Sequence, residues 1–234
     1  MKSLETGYAE LDRLTGGLKA GKVFLLSGAA GMGKTALALD IVRTIARQQK
    51  TVLYFSLKES GVLIAQRLLL LESGVPLDAM RNHSISGAEA RELTRAAMEC
   101  KKWNMTVDET PAIDFPLLSK KARKINKYLD GIRDLIVVDH LQLMKAGTDG
   151  FPGVIRDLKG LAEELEIPVL LLAKEDKTAP EREVAADTYV YLCRDGEKAW
   201  LAVFKSGNGE EGVLDLHFDL KTLDFTPRTC AGKQ

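Results

Sequence analysis

The chain has 234 residues, 45% of them hydrophobic and 28% charged, which is ordinary for a globular protein that buries a sizeable core. Its 33 Lys and Arg residues equal its 33 Asp and Glu residues, so no overall positive field draws it to nucleic acid or to an anionic membrane. Its cysteines number only three and are scattered, which indicates a reducing compartment and neither a disulfide framework nor a zinc site. The first residues lack a signal-peptide core, and no apolar stretch reaches the ~18 residues that span a bilayer. We therefore expect one cytoplasmic domain over residues 1–234, without a membrane segment.

Short apolar runs alternate with amphipathic segments along the chain. Strands are predicted, in chain order, at residues 23–26, 51–56, 105–107, 135–139, 168–173, 188–192, 199–204 and 213–218. Helices are predicted at residues 10–14, 36–42, 61–71 and 86–101, from residue 114, and at 154–166. The helix at 61–71 is apolar on almost every side and is expected to be buried.

The strand pattern predicts the fold class. The earlier strands are continuous apolar runs separated by helices, which is typical of a mainly parallel, twisted sheet covered by helices on both faces. The last three strands are joined by turn signals at Asp195-Gly196 and at residues 207–209, so they look like antiparallel additions at the C-terminal end. The sequence therefore predicts an α/β fold.

The first predicted strand and the helix after it are joined by a glycine-rich segment, Ser27-Gly28-Ala29-Ala30-Gly31-Met32-Gly33-Lys34-Thr35. This is G-x-x-x-x-G-K-T in the strand–loop–helix setting of a P-loop, where backbone N–H groups and the helix N-terminus face phosphate oxygens. Lys34 would reach the β- and γ-phosphates, and the Thr35 hydroxyl would contact Mg²⁺. An ordinary glycine-rich turn is the alternative, but such a turn does not require the lysine and the threonine. The candidate nucleotide-binding residues of the loop are Gly28, Ala29, Ala30, Gly31, Met32, Gly33, Lys34 and Thr35.

A carboxylate ends the strand predicted at 135–139. Asp139 follows four apolar residues, as does the Walker B aspartate that holds Mg²⁺. A lone aspartate at a strand end is more often a turn former, but here a P-loop lies upstream. Ligands collect at the carboxyl ends of parallel strands, and Ser56, Asp139 and Ala173 mark three such ends, so the residues just beyond them are expected to surround the γ-phosphate. Thr35 and Asp139 are the candidate metal ligands.

Several segments resemble, in order, the RecA-like C-terminal ATPase domain of DnaB-type replicative helicases. They are Thr6 to Leu18, Gly31 to Ala36, Tyr54 to Leu57, Asp108 to Pro111, Val137 to Met144, Leu158 to Ala162, Ile167 to Val169 and Asn208-Gly209. The Asp-x-Leu-Gln-Leu-Met stretch at 139–144 is fairly specific to this family. The resemblance implies a RecA-like P-loop NTPase fold, ATP and Mg²⁺ as cofactors, and a role in DNA replication.

The chain departs from the family at positions that serve hydrolysis. The family's water-activating glutamate is replaced by Lys58, and a protonated lysine is not a base. Glu59 is the candidate substitute, although neighbouring side chains of a strand point in opposite directions. Lys174 replaces the glutamine that senses the γ-phosphate; Lys205 is kept, while the nearby arginine that completes a neighbouring subunit's site is lost. The resemblance thus makes Lys34, Lys58, Glu59 and Lys174 the candidate catalytic residues and adds Lys205 to the nucleotide-binding set.

Features by which the family binds DNA and assembles are also reduced. Residues 176–182 are shorter than the family's DNA-gripping loop and do not match it, and the loop at 145–153 has diverged. The family's N-terminal domain and linker helix are not in the sequence, so we expect a stand-alone monomer or weak oligomer rather than a hexamer. The helix after residue 114 carries a basic run, usually a solvated face and alternatively a nucleic-acid surface, at Lys120, Lys121, Arg123, Lys124 and Lys127.

Three functional hypotheses follow. The favoured one is a helicase-like protein that binds ATP·Mg²⁺, hydrolyses it slowly or not at all, and is accessory or regulatory to DNA replication or another DNA process. The second is an active DNA-dependent ATPase or 5'-3' helicase motor, with Glu59 as the base and Lys58 or Lys174 in place of an arginine finger. The third is a structural module whose P-loop is unused. Beyond ATP, the expected partners are single-stranded DNA or a replication protein.

Overall fold

The computed structural model describes residues 2–128, 134–175, 185–206 and 209–228. Its strands are β1 (Ser3–Leu4), β2 (Leu18–Lys19), β3 (Val23–Ser27), β4 (Val52–Ser56), β5 (Met105–Asp108), β6 (Leu135–Asp139), β7 (Val169–Leu172), β8 (Thr188–Asp195), β9 (Lys198–Lys205), β10 (Gly212–Asp219) and β11 (Asp224–Pro227). Its α-helices are α1 (Ala9–Thr15), α2 (Lys34–Arg47), α3 (Gly61–Ser73), α4 (Leu77–Arg81), α5 (Gly87–Cys100), α6 (Phe115–Tyr128) and α7 (Gly150–Leu165). A short 3₁₀ helix at Leu141–Leu143 follows β6.

Nine of these strands form one sheet in the order β11-β10-β9-β8-β3-β7-β6-β4-β5. All pairings from β5 to β8 are parallel, and the pairings from β8 to β11 are antiparallel. The predicted α/β fold, with a mainly parallel sheet and antiparallel strands at the C-terminal end, is therefore confirmed.

The central strands are buried on both faces. Every residue of β3, β4, β6 and β7 is buried, which explains their continuous apolar runs. Helices α1, α2 and α3 contribute to the core on one face, and α6 and α7 to the core on the other. This arrangement brings the carboxyl ends of the parallel strands to one edge, where β3 leads into the glycine-rich segment. Among the described residues no helix is long and apolar enough to cross a membrane.

Several details differ from the sequence-based expectations. The helix at 61–71 is not buried on nearly all sides, because Val62 is 68% exposed and Leu63 47% exposed. Helix α7 begins at Gly150 rather than at residue 154, so part of the expected loop is helical. Helix α4 and strand β11 were not predicted. The expected change in the DNA-binding loop at 176–182 and part of the turn at 207–209 lie outside the described residues.

The basic run on α6 is partly neutralised within the fold. The Lys121 ammonium lies 2.6 Å from Asp108, at the end of β5. The Arg123 guanidinium lies 2.7 Å from Glu164 on α7. These two cations tie α6 to its neighbours, so they support the interpretation of the run as an ordinary helix surface rather than as a nucleic-acid site.

Candidate functional site

Residues 27–35, the glycine loop, connect β3 to α2 at the carboxyl edge of the sheet. Gly31 and Gly33 have φ of 81° and 99°, in the left-handed region that glycine adopts without strain. A Cβ at Gly33 would lie 2.9 Å from the Phe225 ring, and one at Gly28 would lie 2.4 Å from the Leu192 carbonyl oxygen. The glycines are therefore required by the close approach of strands β8 and β11 as well as by the backbone conformation.

Lys34 is the first residue of α2, and its side chain folds back over the loop. Its Nζ donates hydrogen bonds of 2.8 Å to the carbonyl oxygens of both Gly28 and Ala29. The pKa of Lys34 is lowered to about 8, mainly by burial; Asp139 opposes this shift, and the positive charges of Lys58 and Lys174 add to it. An anion bound in the loop would relieve this destabilisation of the charged lysine.

Asp139 ends β6 directly beside the start of α2. Its Oδ2 accepts hydrogen bonds of 2.9 Å from the Thr35 hydroxyl and from the Tyr54 hydroxyl. Tyr54 is fully buried on β4, and burial together with the Asp139 charge raises its pKa. The structure thus brings the two predicted metal ligands into contact and adds Tyr54, which sequence reasoning missed because its role depends on the pairing of β4 with β6.

The Thr35 and Asp139 oxygens fit a magnesium ion. Hydroxyl and carboxylate oxygens are the hard donors that Mg²⁺ prefers, and this ion is commonly held by one or two protein oxygens plus substrate phosphates. No cluster of three or more His, Cys, Asp or Glu side chains that could cage a metal occurs within the described residues. A magnesium ion at this position would neutralise phosphate charge.

A cleft of about 380 Å³, the loop cleft, opens beside the glycine loop. Of the predicted site residues it is lined by Ala30, Gly31, Gly33, Lys34, Thr35, Lys58, Glu59 and Lys174. The lining residues that sequence reasoning did not assign include Arg67, His140, Arg194 and Phe218. Gly28, Ala29 and Met32 belong to the loop itself, where their carbonyl oxygens accept hydrogen bonds.

Lys205 lies away from this cleft. It pairs across the sheet with Tyr189, near the beginning of β8, whereas the glycine loop follows the end of β3. Its Nζ donates to the carbonyl oxygen of Ala186. The structure therefore does not bring Lys205 together with the glycine loop of the same chain.

Lys58 and Glu59 lie beyond the end of β4, which stops at Ser56. The alternation of side chains along a strand therefore does not separate them, and both line the loop cleft. Glu59 Oε1 accepts a 2.7 Å hydrogen bond from Arg67. Glu59 Oε2 is buried without a hydrogen-bond partner among the described residues. One carboxylate oxygen is thus fixed by α3 while the other is left free.

Arg194 on β8 braces the glycine loop. Its guanidinium donates to the carbonyl oxygens of Gly31, at 2.9 Å, and Met32, at 3.4 Å. It also lies over the Phe218 ring, 4.5 Å from the centroid. Sequence reasoning could not find Arg194, because it is far along the chain and only the pairing of β8 with β3 places it near the loop.

These features define a class of protein. A RecA-like ATPase domain has this architecture: a parallel sheet with a glycine loop at its carboxyl edge, a lysine at the start of the following helix and an aspartate at a strand end. Two solved structures have this fold: an ATPase domain, with a TM-score of 0.90 over 97% of this chain and 92% of that chain, and a DnaB-like replicative helicase solved with its interactions with primase, with a TM-score of 0.89. Both are 21% identical to the chain, and the second is covered over 62% of its length.

The sequence comparisons identify the family. The profile described as "DnaB-like helicase C terminal domain" matches residues 3–187, so the chain belongs to that family. It is 33% identical over 184 residues to "Replicative DNA helicase DnaB" of Synechocystis sp., covering 76% of this chain and 21% of that protein. It is 30% identical over 249 residues to the protein of the same name from Treponema pallidum, covering 97% of this chain and 56% of that protein. The chain therefore spans between about a fifth and just over half of these relatives.

Proposed function

We propose that this chain is a DnaB-helicase-like, RecA-fold domain that binds ATP with Mg²⁺ and hydrolyses it slowly or not at all. Its role would be accessory or regulatory to DNA replication or to another DNA process. The observation that carries the proposal is the convergence of Lys34, Thr35 and Asp139 at one edge of the sheet, with Thr35 bonded to Asp139 at 2.9 Å. Lys34 would contact the phosphates, and Thr35 and Asp139 would hold the ion.

The proposal of weak hydrolysis rests on the side chains that lie next to Lys34, Thr35 and Asp139. An attacking water needs a general base within hydrogen-bond reach. The first ionisable residue beyond β4 is Lys58, which is not a base while it is protonated. The neighbouring Glu59 is engaged by Arg67, which donates a 2.7 Å hydrogen bond to one of its carboxylate oxygens and so occupies that oxygen. An arginine finger contributes roughly 10³–10⁵ in rate to enzymes that have one. By the family resemblance, this chain lacks the corresponding arginine near Lys205.

An active DNA-dependent ATPase or helicase motor is the second candidate. It is favoured by one observation: Glu59 Oε2 is buried, unpaired among the described residues and part of a side chain that lines the loop cleft. A shift of the Glu59 side chain that exposes this oxygen to the cleft would allow it to orient a water. Single-stranded DNA or a replication protein would then be the partner that stimulates turnover, as the names of the relatives suggest.

Two measurements on the purified chain separate these functions from an unused loop. The first is thermal unfolding with and without ATP·Mg²⁺, and the second is steady-state ATP hydrolysis with and without single-stranded DNA. Lys34→Ala is the test variant, and Lys120→Ala, an exposed lysine on α6, is the matched control. We expect ATP to stabilise the wild type and Lys120→Ala but not Lys34→Ala, with turnover no higher in the wild type than in Lys34→Ala.

Other outcomes identify the other functions. DNA-stimulated turnover that is lost in Lys34→Ala and kept in Lys120→Ala would establish the motor and make Glu59 the candidate base. An absence of nucleotide-dependent stabilisation in the wild type would leave a structural module. Ligand at 100 times its dissociation constant stabilises the folded state by about 2.7 kcal/mol, so real binding is readily detected.

A further inference from the structure

Two lysines flank Asp139 at the carboxyl edge of the sheet. In the sheet register Asp139 lies opposite Ser56 of β4 on one side and Leu172 of β7 on the other. Lys58 lies two residues after Ser56 in the sequence, and Lys174 lies two residues after Leu172. Both line the loop cleft. The topology therefore places one lysine on each side of the central aspartate.

The backbone of Lys174 is fixed to its surroundings. Its N–H donates 2.9 Å to Gln142 Oε1, and its carbonyl oxygen accepts 2.8 Å from Gln142 Nε2. The next residue, Glu175, donates its N–H to the Gly28 carbonyl oxygen at 2.9 Å. A side-chain amide and the glycine loop thus hold this strand end in place, while the Lys174 side chain is exposed.

The backbone around Lys58 is fixed in a similar way. The N–H of Leu57 donates 2.8 Å to the carbonyl oxygen of Asp139, and the Ser56 hydroxyl donates 2.6 Å to the carbonyl oxygen of Glu59. The Lys58 side chain is exposed. Within the ranges that the structure describes, neither Lys58 nor Lys174 has a carboxylate within ion-pair distance.

The loop cleft consequently contains an excess of positive charge. Lys58 and Lys174 lie close enough to Lys34 to add to the lowering of its pKa that burial causes. The carboxylate of Glu59 is already paired with Arg67, at 2.7 Å. Ammonium groups that outnumber the neighbouring carboxylates are an arrangement that binds a polyanion, because the ligand reduces their mutual repulsion.

We propose that Lys58 and Lys174 form a clamp for the terminal phosphate of a nucleoside triphosphate, so that the site also binds the triphosphate without a divalent cation. This inference rests on the nucleotide site proposed above. Mg²⁺ in such sites bridges the β- and γ-phosphates and neutralises their charge. Two ammonium groups together carry the charge of one divalent ion, and they lie on either side of the aspartate that would hold it. A diphosphate lacks the group that the clamp holds.

The test is the affinity for ATP and for ADP measured by titration calorimetry, in excess EDTA and in excess Mg²⁺ at fixed ionic strength. The test variant is Lys58→Gln/Lys174→Gln, and the matched control is Lys120→Gln on the exposed face of α6. We expect the wild type and the control to lose less than about tenfold in ATP affinity when Mg²⁺ is removed. A charge-assisted hydrogen bond corresponds to about 10–100-fold in affinity, so the double variant is expected to lose at least about 100-fold for metal-free ATP. Its ADP affinity is expected to change by less than about fivefold.

Three results would overturn the clamp. The first is a wild type that binds ATP only with Mg²⁺. The second is a double variant that keeps wild-type affinity for metal-free ATP, and the third is a double variant that loses affinity for ATP and ADP equally. The single variants Lys58→Gln and Lys174→Gln are each expected to lose about 10-fold or more in affinity for metal-free ATP. Circular dichroism spectra like that of the wild type would exclude a general folding defect. If the wild type binds nucleotide in neither buffer, the proposed nucleotide site itself fails, which is a different outcome from failure of the clamp.

Discussion

At the scale of single residues, the proposal of weak hydrolysis depends on position 58. The resemblance to the family matches Lys58 with the water-activating glutamate, and Lys58 lines the loop cleft. We predict that Lys58→Glu raises ATP turnover by about 10–100-fold, since a positioned general base typically contributes 10²–10⁴ and the missing arginine limits the gain. The measurement is steady-state hydrolysis, with Lys120→Glu as the control for added negative charge.

An unchanged rate in Lys58→Glu, with nucleotide binding retained, would show that position 58 is not the catalytic position. Glu59 supplies the complementary check, because it is the neighbour with a free buried oxygen. If Glu59 is the base, Glu59→Gln lowers turnover, and Lys58→Glu has little effect.

The buried hydroxyl of Tyr54 carries the second residue-scale prediction. It donates to Asp139 Oδ2, as the Thr35 hydroxyl also does, and both the Tyr54 ring and the carboxylate are buried. Tyr54→Phe keeps the ring and removes a hydrogen bond to a charged group, so we expect the free energy of unfolding to fall by about 1.5–3 kcal/mol. Urea unfolding measures it; Tyr191→Phe, whose half-buried hydroxyl donates to Glu175, is expected to cost less. Equal losses would contradict the argument.

At the scale of elements, Asp187 connects β3, α7 and the start of β8. Its carboxylate accepts 3.0 Å from the Val23 N–H and lies 2.8 Å from Lys159. Burial alone would raise the pKa of Asp187, but the hydrogen bonds from Lys159 and Val23 outweigh burial, and the pKa is lowered. A carboxyl whose pKa is lower in the folded state stabilises the protein above its unfolded pKa and loses that stabilisation as the pH falls.

We therefore predict that Asp187→Asn makes the protein less stable at pH 7 and less sensitive to acid. The wild type loses the Asp187 contribution as the pH falls from about 5 towards 2, whereas the variant has none to lose. Urea unfolding at pH 7 and at pH 3 measures the difference, with the exposed Asp157→Asn as the control. Parallel losses in Asp187→Asn and wild type between the two pH values would rule out this role.

Across the whole molecule, the sequence predicted what local patterns encode. The parallel core strands were found because β3, β4, β6 and β7 are buried along their whole length, and an apolar run of that kind is visible without the fold. The convergence of Thr35 with Asp139 followed from the rule that ligands gather at strand ends. Arg194 and Tyr54 were missed because their contacts depend on which strands become neighbours. Strand β11 was missed because its four residues include only one buried side chain.

Strand β11 also links the two ends of the described chain to the glycine loop. The Tyr8 hydroxyl donates to the carboxylate of Asp40 on α2, and its oxygen lies 3.2 Å from the carbonyl oxygen of Phe225 on β11. The Arg43 guanidinium bonds to Asp40 and lies 3.7 Å from Asp224. Burial, followed by the Asp40 charge, raises the pKa of Tyr8, so this hydroxyl remains a donor throughout the neutral range.

We predict that Tyr8→Phe lowers the free energy of unfolding by about 1.5–3 kcal/mol, because the buried, charged Asp40 carboxylate loses a hydrogen-bond donor. Because β11 is an edge strand, amide hydrogen exchange is expected to accelerate more at Asp224, Phe225 and Thr226 than in β6, where it follows only the global loss of stability. Since the Phe225 ring packs where a Gly33 side chain would lie, the glycine loop is the next segment expected to respond. Tyr191→Phe, outside this network, should leave exchange in β11 unchanged. Faster exchange spread evenly over β6 and β11 would mean that the network stabilises the whole fold rather than holding the edge strand against the loop.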